Sequence, residues 1–180
     1  MYYCASETNV NEKIRKNDKY HFVKGNVYSE DIVNFILFKY DITHVIHFAA
    51  QSHVQNSFDD SLQFTKDNVL GTHMLLECCR RYNKIERFIH VSTDEVYGDA
   101  ENEDSFTEKS LINPSNPYSA TKAAADHLVS TYHRTYGIKC ITTRCTNNFG
   151  PYQFPEKLIP KTIIRAKKNL KIPLYGNGEQ

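Results

Sequence analysis

Hydrophobic and polar positions alternate along this chain in two different rhythms. Thr43–Phe48 and Ile85–Val91 are short, largely apolar runs with the β-branched and aromatic content of buried strands. Before, between and after them the apolar residues recur every three or four positions. Ile32, Phe35, Ile36 and Tyr40 form one such stripe behind Ser29, a helix cap with Glu30 and Asp31 in its first turn. Val69, Leu70, Met74 and Cys78 mark a second helix over residues 60–82. A third runs from Asn116-Pro117, a cap followed by proline at the first helical position, to Gly137, which stops it near Tyr136.

Tyr20–Val23 reads as a further short strand, and so does Ile138–Arg144. Glu156–Lys168 reads as a helix and Leu170–Tyr175 as another extended piece. Residues 5–19 are polar without period, and Asp99–Asn113 and Asn147–Pro155 are irregular. Strand and helix alternating at this interval predict βαβ units, hence an α/β fold with a doubly wound parallel sheet and helices on both faces. The histidines in these apolar strands, His44, His47 and His90, read as core or sheet-face residues.

Composition narrows the classes. The chain has 180 residues, a net charge of +1 and 24 % charged residues, the size and polarity of one soluble domain. Its basic residues are scattered, which leaves no footprint for nucleic acid. No apolar run nears the ~20 residues that span a bilayer. The five cysteines are odd in number and include no C-x-x-C, so neither a disulfide framework nor a zinc site is expected, and a reducing, cytoplasmic setting fits.

Candidate chemistry sits where the central strand ends. His90-Val-Ser-Thr-Asp-Glu-Val-Tyr-Gly98 passes from an apolar run to a hydroxyl pair and two adjacent carboxylates. The carboxyl ends of parallel strands open onto the ligand crevice. The same two acids also suit a solvated loop or a cap. In a strand Asp94 and Glu95 would point to opposite faces, so both reach one ligand only if the strand has broken there.

Tyr118 and Lys122 are four apart on the third helix and share a face. A second Tyr-x-x-x-Lys, Tyr20 to Lys24, lies on a strand pattern without an acid nearby. A free phenol titrates near pH 10, so a Tyr118 base would need a fall of roughly 3 pH units, about 4 kcal/mol. An adjacent cation, a positively charged cofactor ring and exclusion of water together favour the phenolate.

Three ordered segments, Ser92–Gly98, Asn116–Lys122 and Asn147–Leu158, with Gly25-Asn-Val27 and Ala49–His53 between them and the start, closely resemble the dTDP-glucose 4,6-dehydratases of the extended short-chain dehydrogenase/reductase superfamily. The resemblance runs over essentially the whole chain. It implies a Rossmann-like fold that holds NAD. It implies a catalytic set in which Tyr118, with Thr93 and Lys122, deprotonates the sugar 4-hydroxyl. Glu95 then takes the C5 proton and Asp94 protonates the leaving 6-hydroxyl. By the same resemblance Asn26, Val27, Phe48, Ala49, Ala50, Ser52, Asn68, Ser92 and Asn148, with Tyr118 and Lys122, are cofactor contacts. His53, Thr93, Asn147, Glu156, Lys157, Leu158, Pro173 and Tyr175 are sugar-nucleotide contacts, no metal is implied, and residues from about 147 begin the sugar-nucleotide lobe. Sugar-nucleotide epimerases share the Tyr and Lys but generally lack the acid pair, and GDP-mannose dehydratases generally have the Glu without the preceding Asp. The family's enzymes pair as homodimers through the helices at 60–82 and 117–136.

Departures from the family pattern carry expectations too. None of the seven glycines forms the G-x-x-G-x-x-G turn that cradles a dinucleotide pyrophosphate, and Asn26 stands where the family has Asp. The chain matches the middle half of a family member. It is expected to be either part of a working dehydratase or a non-enzymatic remnant that associates with a full-length relative.

Overall fold

The computed structural model describes residues 9–100 and 105–174. Val23–Thr146 forms one compact unit, and the described residues 9–22 and 147–174 form a second.

The first unit is built on a parallel sheet of three strands, β1 (His44–His47), β2 (Arg87–Thr93) and β3 (Cys140–Cys145), in that order. His47 pairs with His90, and Thr93 with Cys145, so β2 and β3 run on together beyond the end of β1. Ahead of β1 lies α2 (Glu30–Lys39), and α1 (Glu12–Arg15) is a single turn in the second unit, within a stretch expected to be loop. Between β1 and β2 come α3 (Val54–Asp59), α4 (Ser61–Phe64), a π-helical turn over Thr65–Leu70 and α5 (Gly71–Tyr82). The crossover from β2 to β3 is α6 (Pro117–Tyr136), and α7 (Leu158–Lys167) belongs to the second unit.

The core lies where α5 and α6 meet the sheet. Phe88, Leu76, Cys79 and Val129 are almost wholly buried there, joined by Val33 and Leu37 of α2. Each large apolar side chain so buried contributes roughly 1.5–3 kcal/mol. Alternation along β2 sends Phe88 and His90 into this core. The opposite row, Ile46, Ile89 and Ile141 in register across the sheet, leaves Ile46 57 % and Ile141 44 % exposed.

Other expectations shift in instructive ways. Tyr20–Val23, expected as a short strand, forms none. On α2 the buried residues are Val33 and Leu37, while Phe35 is 51 % exposed, because that helix packs on α5 rather than on the sheet. The helix expected over 60–82 is interrupted by the π turn. The extra residue of that turn rotates α5, so the buried line is Phe64, Asn68, Thr72 and Leu76, not Val69, Leu70 and Met74. His47 and His90 are core residues as expected, but His44 is exposed. Residues 170–174 form no strand, and Tyr175 lies outside the described residues.

Candidate active site

Strand β2 ends at Thr93, and Asp94–Tyr97 is a single 3-10 turn. Thr93 caps it: Oγ1 accepts the Glu95 backbone N–H at 3.3 Å and lies 3.2 Å from Asp94 Oδ1. The strand therefore breaks where two carboxylates facing one ligand require it to. Neither acid is fully solvated, since both are half-buried. Gly98 closes the turn at φ +82°, with the Asn113 carbonyl packed against its Cα.

The start of α6 faces this turn. Its first residues are fixed by a capping box in which Asn116 Oδ1 accepts the Ser119 N–H at 2.9 Å and Ser119 Oγ accepts the Asn116 N–H at 3.2 Å. Asn116 Nδ2 also lies 3.4 Å from Glu95 Oε2, joining cap and acid. Tyr118 is 8 % exposed and Lys122 4 %. Lys122 Nζ donates to the Val91 carbonyl at 2.7 Å, which pins the ammonium to the strand behind the turn.

The electrostatics of Tyr118 differ from expectation. Burial pushes its phenol up to about 12, Glu95 and Asp94 add to the rise, and the Thr93 hydroxyl alone among its main neighbours works downward. The expected fall rested on Lys122, a positively charged cofactor ring and exclusion of water acting together; in this structure burial dominates, and the side chains that shift the phenol are Glu95, Thr93, Cys145 and Asp94. Burial also lowers the Lys122 ammonium, against which Asp126 works.

The expected cofactor residues of the first unit lie around the carboxyl end of β1. Phe48 is 72 % exposed and Ala49, Ala50 and Ser52 follow it at the surface. Asn26 and Val27 lie in the turn before α2, where the Asn26 carbonyl accepts the Ser29 N–H at 3.0 Å and Val27 packs against Gly71. Ser92 is buried. His53 caps α3, its Nδ1 accepting the Asn56 N–H at 3.3 Å.

Asn68 has a different part from the contact expected of it. It is 1 % exposed, and its amide is engaged on three sides. Its Oδ1 accepts the Gln51 N–H at 2.7 Å, and its Nδ2 donates to the Gln51 carbonyl at 3.0 Å and to Thr121 Oγ1 at 2.9 Å. Thr121 Oγ1 donates in turn to the Tyr118 carbonyl at 2.7 Å. The π turn thus places one side chain that ties the loop after β1 to the helix of Tyr118.

Four residues that sequence reasoning did not single out complete the surroundings. Asp126 Oδ2 accepts the Arg144 Nε–H at 2.9 Å, Arg144 Nη1 donates to Tyr97 Oη at 2.7 Å, and Thr121 joins Asn68 to α6. Asp126 stands four after Lys122, a spacing visible in sequence. The pairing with Arg144 is not.

Asn147, Asn148, Glu156, Lys157, Leu158 and Pro173 fall in the second unit. The Asn148 carbonyl accepts a Gln153 Nε2 hydrogen bond at 2.9 Å, Glu156 and Lys157 form a 3.7 Å ion pair, and Leu158 is 63 % exposed. A cleft of about 430 Å³ there is lined by Pro155, Lys161, Ile164, Arg165 and Pro173. Its two cations, one turn apart on α7, were not expected as site residues. Among the described residues there is no cluster of metal-ligating side chains and no helix long and apolar enough to cross a membrane.

Comparison with known proteins places these features. A trifunctional UDP-glucose 4,6-dehydratase/3,5-epimerase/reductase of Arabidopsis thaliana is 50 % identical over 98 % of this chain, which covers 27 % of that relative. A dTDP-glucose 4,6-dehydratase of Xanthomonas campestris is 44 % identical over 98 % of the chain and is covered to 52 %. Among solved structures, a dTDP-glucose 4,6-dehydratase of Streptomyces venezuelae with NAD and DAU bound superposes with a TM-score of 0.87 at 40 % identity, over 92 % of this chain and 50 % of that one. A UDP-glucose 4-epimerase of Thermus thermophilus in complex with NAD gives 0.86 at 30 % identity, over 97 % of this chain and 55 % of that one. The fold is Rossmann-like, and the chain spans about half the length or less of these relatives. The family model for GDP-mannose 4,6 dehydratase matches residues 3–180, and the chain belongs to that family.

Proposed function

We propose that this chain carries the catalytic centre of an NAD-dependent nucleoside-diphosphate-glucose 4,6-dehydratase, a lyase, whose cofactor lies along the carboxyl end of β1. The exposed run Phe48–Ser52 and the Lys122 ammonium fit the cofactor, since the Val91 carbonyl takes one of that group's three donors. NAD, when bound, supplies the acceptor and later the donor of one hydride, and its positive ring adds the charge that a Tyr118 phenolate lacks.

Tyr118 Oη takes the proton of the sugar 4-hydroxyl, with Thr93 Oγ1 and Lys122 beside it. The resulting 4-keto group acidifies C5–H. Glu95 removes that proton and Asp94 gives one to the departing 6-hydroxyl, so water leaves and a C5–C6 double bond forms. With the hydride taken from C4 returned to C6 and a proton returned to C5 from Glu95, the product is a 4-keto-6-deoxy sugar nucleotide. The observation that carries this reading is the 3-10 turn: it holds both carboxylates close enough to Tyr118 that each raises the phenol. Epimerisation needs no such pair.

The sugar nucleotide is dTDP-glucose on the Thr93-Asp94-Glu95 pattern. UDP-glucose is the second reading, supported by relatives named for it at up to 50 % identity. The second unit begins the sugar-nucleotide lobe. The setting is cytoplasmic, and two copies pair through the helical stretches at 60–82 and 117–136, a reading that the exposed Leu70 and Tyr136 support.

The test is full-length protein with NAD and each sugar nucleotide, read by the alkaline absorbance of the 4-keto product. Glu95→Gln should retain NAD yet lose exchange of the C5 proton with deuterated solvent. Absence of turnover with both substrates would refute the reading, and exchange persisting in the variant would remove Glu95 from its role.

A further inference from the structure

Asp126 is 3 % exposed and lies one helical turn beyond Lys122, on the same face of α6. A buried carboxylate persists only with compensating partners. Five titratable groups face it or its partners: Lys122 on α6, His90 on β2 with His47 of β1 behind it at 5.5 Å between rings, Arg144 on β3, and Tyr97 of the 3-10 turn.

Burial works against its charge, and His90, Ser92 and Arg144 each favour it. His90 Nε2 stands 3.4 Å from Asp126 Oδ1, yet neither it nor the buried Ser92 hydroxyl is aligned for a hydrogen bond to that oxygen. Burial keeps both histidines neutral, and the positive charge of Lys122 works the same way on them. Two cations bring full positive charge to its surroundings. Arg144 holds Oδ2 and reaches on to Tyr97, which closes the turn carrying Asp94 and Glu95. Lys122 is the other, with its Nζ drawn against the Val91 carbonyl.

We infer that Asp126 is a positioning residue that acts through Lys122, as the buried counter-charge that keeps the ammonium ionised beside Tyr118, while Arg144 anchors the same carboxylate to the turn of paired acids. Its part in turnover rests on the dehydratase reading; the ionisation of Lys122 does not.

The test tracks the Lys122 side chain by NMR in full-length protein labelled at lysine. The unaltered protein should show an ammonium from pH 6 to pH 9. In Asp126→Asn, Lys122 should titrate at least one pH unit lower, and Asp126→Glu should restore it. With less cation beside Tyr118, the rising limb of the pH–rate profile in Asp126→Asn should move about one unit to higher pH. Turnover at pH 7 should fall about tenfold at little-changed KM. An unchanged Lys122 titration in a folded Asp126→Asn overturns the inference, and so does a neutral Lys122 amine at pH 7.5 in the unaltered protein, a measurement that needs no variant to fold. If the unaltered protein turns over neither sugar nucleotide, the dehydratase reading fails while the Lys122 titration still decides the role of Asp126.

Discussion

Thr93 Oγ1 accepts the backbone N–H of Glu95 at 3.3 Å, so the last residue of the central strand is also the cap of the turn after it. That bond decides where the strand stops, and with it whether two adjacent carboxylates share one side. Thr93→Val keeps the shape and removes the acceptor. Loss of a cap costs about 1 kcal/mol, measurable by urea unfolding. The same variant removes the group that works against the rise of Tyr118, so the phenol should titrate higher still. An unchanged Tyr118 titration would detach Thr93 from the phenol.

Gly98 is bound to its identity by the backbone. A Cβ built there would collide with the Asn113 carbonyl oxygen, and φ is +82°. Gly98→Ala should destabilise the protein by more than about 2 kcal/mol, through strain and displacement of Asn113. Gly137, also at positive φ but with open space around it, should lose less on the same change. Equal losses at the two glycines would show that the contact with Asn113 does not matter.

Asn68 should behave as a clamp. Asn68→Leu fills the space but leaves the Gln51 N–H and its carbonyl without their partners. Unmet buried groups cost about 1–3 kcal/mol each, so unfolding should come at markedly lower urea. NAD affinity should fall with it, since the loop after β1 is released. If affinity fell with stability intact, Asn68 would instead be a direct contact.

Acid should loosen the first unit through His47. The Thr72 hydroxyl gives its proton to the Asn68 carbonyl at 2.6 Å, so His47 Nε2, 2.9 Å away, is the donor. Burial first, then His90 and Lys122, lower its pKa from 6.5 to about 3. A depressed folded value means stability that is present above pH 6.5 and is lost as pH falls toward 3. At about 1.36 kcal/mol per pH unit, roughly 2 kcal/mol should go between pH 6.5 and pH 5. His47→Gln should flatten this slope in urea titrations at the two pH values. A variant with the same slope would place the acid sensitivity elsewhere.

Base should do the converse at Tyr118. Its raised value, about 12 against 10, means stability held below pH 10 and lost from there upward, about 3 kcal/mol by pH 12. Tyr118→Phe should remove that part of the alkaline loss, as read by unfolding measured between pH 9 and pH 11.

Sequence by itself determined the parts whose causes are local. The caps and stops of α6, from Asn116-Pro117 to Gly137, were readable because each is satisfied within a few residues of itself. The end of β2 was readable because an apolar run gives way to Thr93-Asp94-Glu95, and the parallel α/β class came from the alternation of elements. Tertiary structure decided what depends on partners distant along the chain. Tyr20–Val23 had strand character in sequence but forms no strand. The π turn at Thr65–Leu70 moved the buried line of α5 and turned Asn68 inward, toward Gln51 and Thr121, 17 and 53 residues away. Asp126 met Arg144 only because β3 returns beside β2. The direction of the Tyr118 shift belongs to the same group, since desolvation is set by everything packed around a side chain and not by the lysine one turn along.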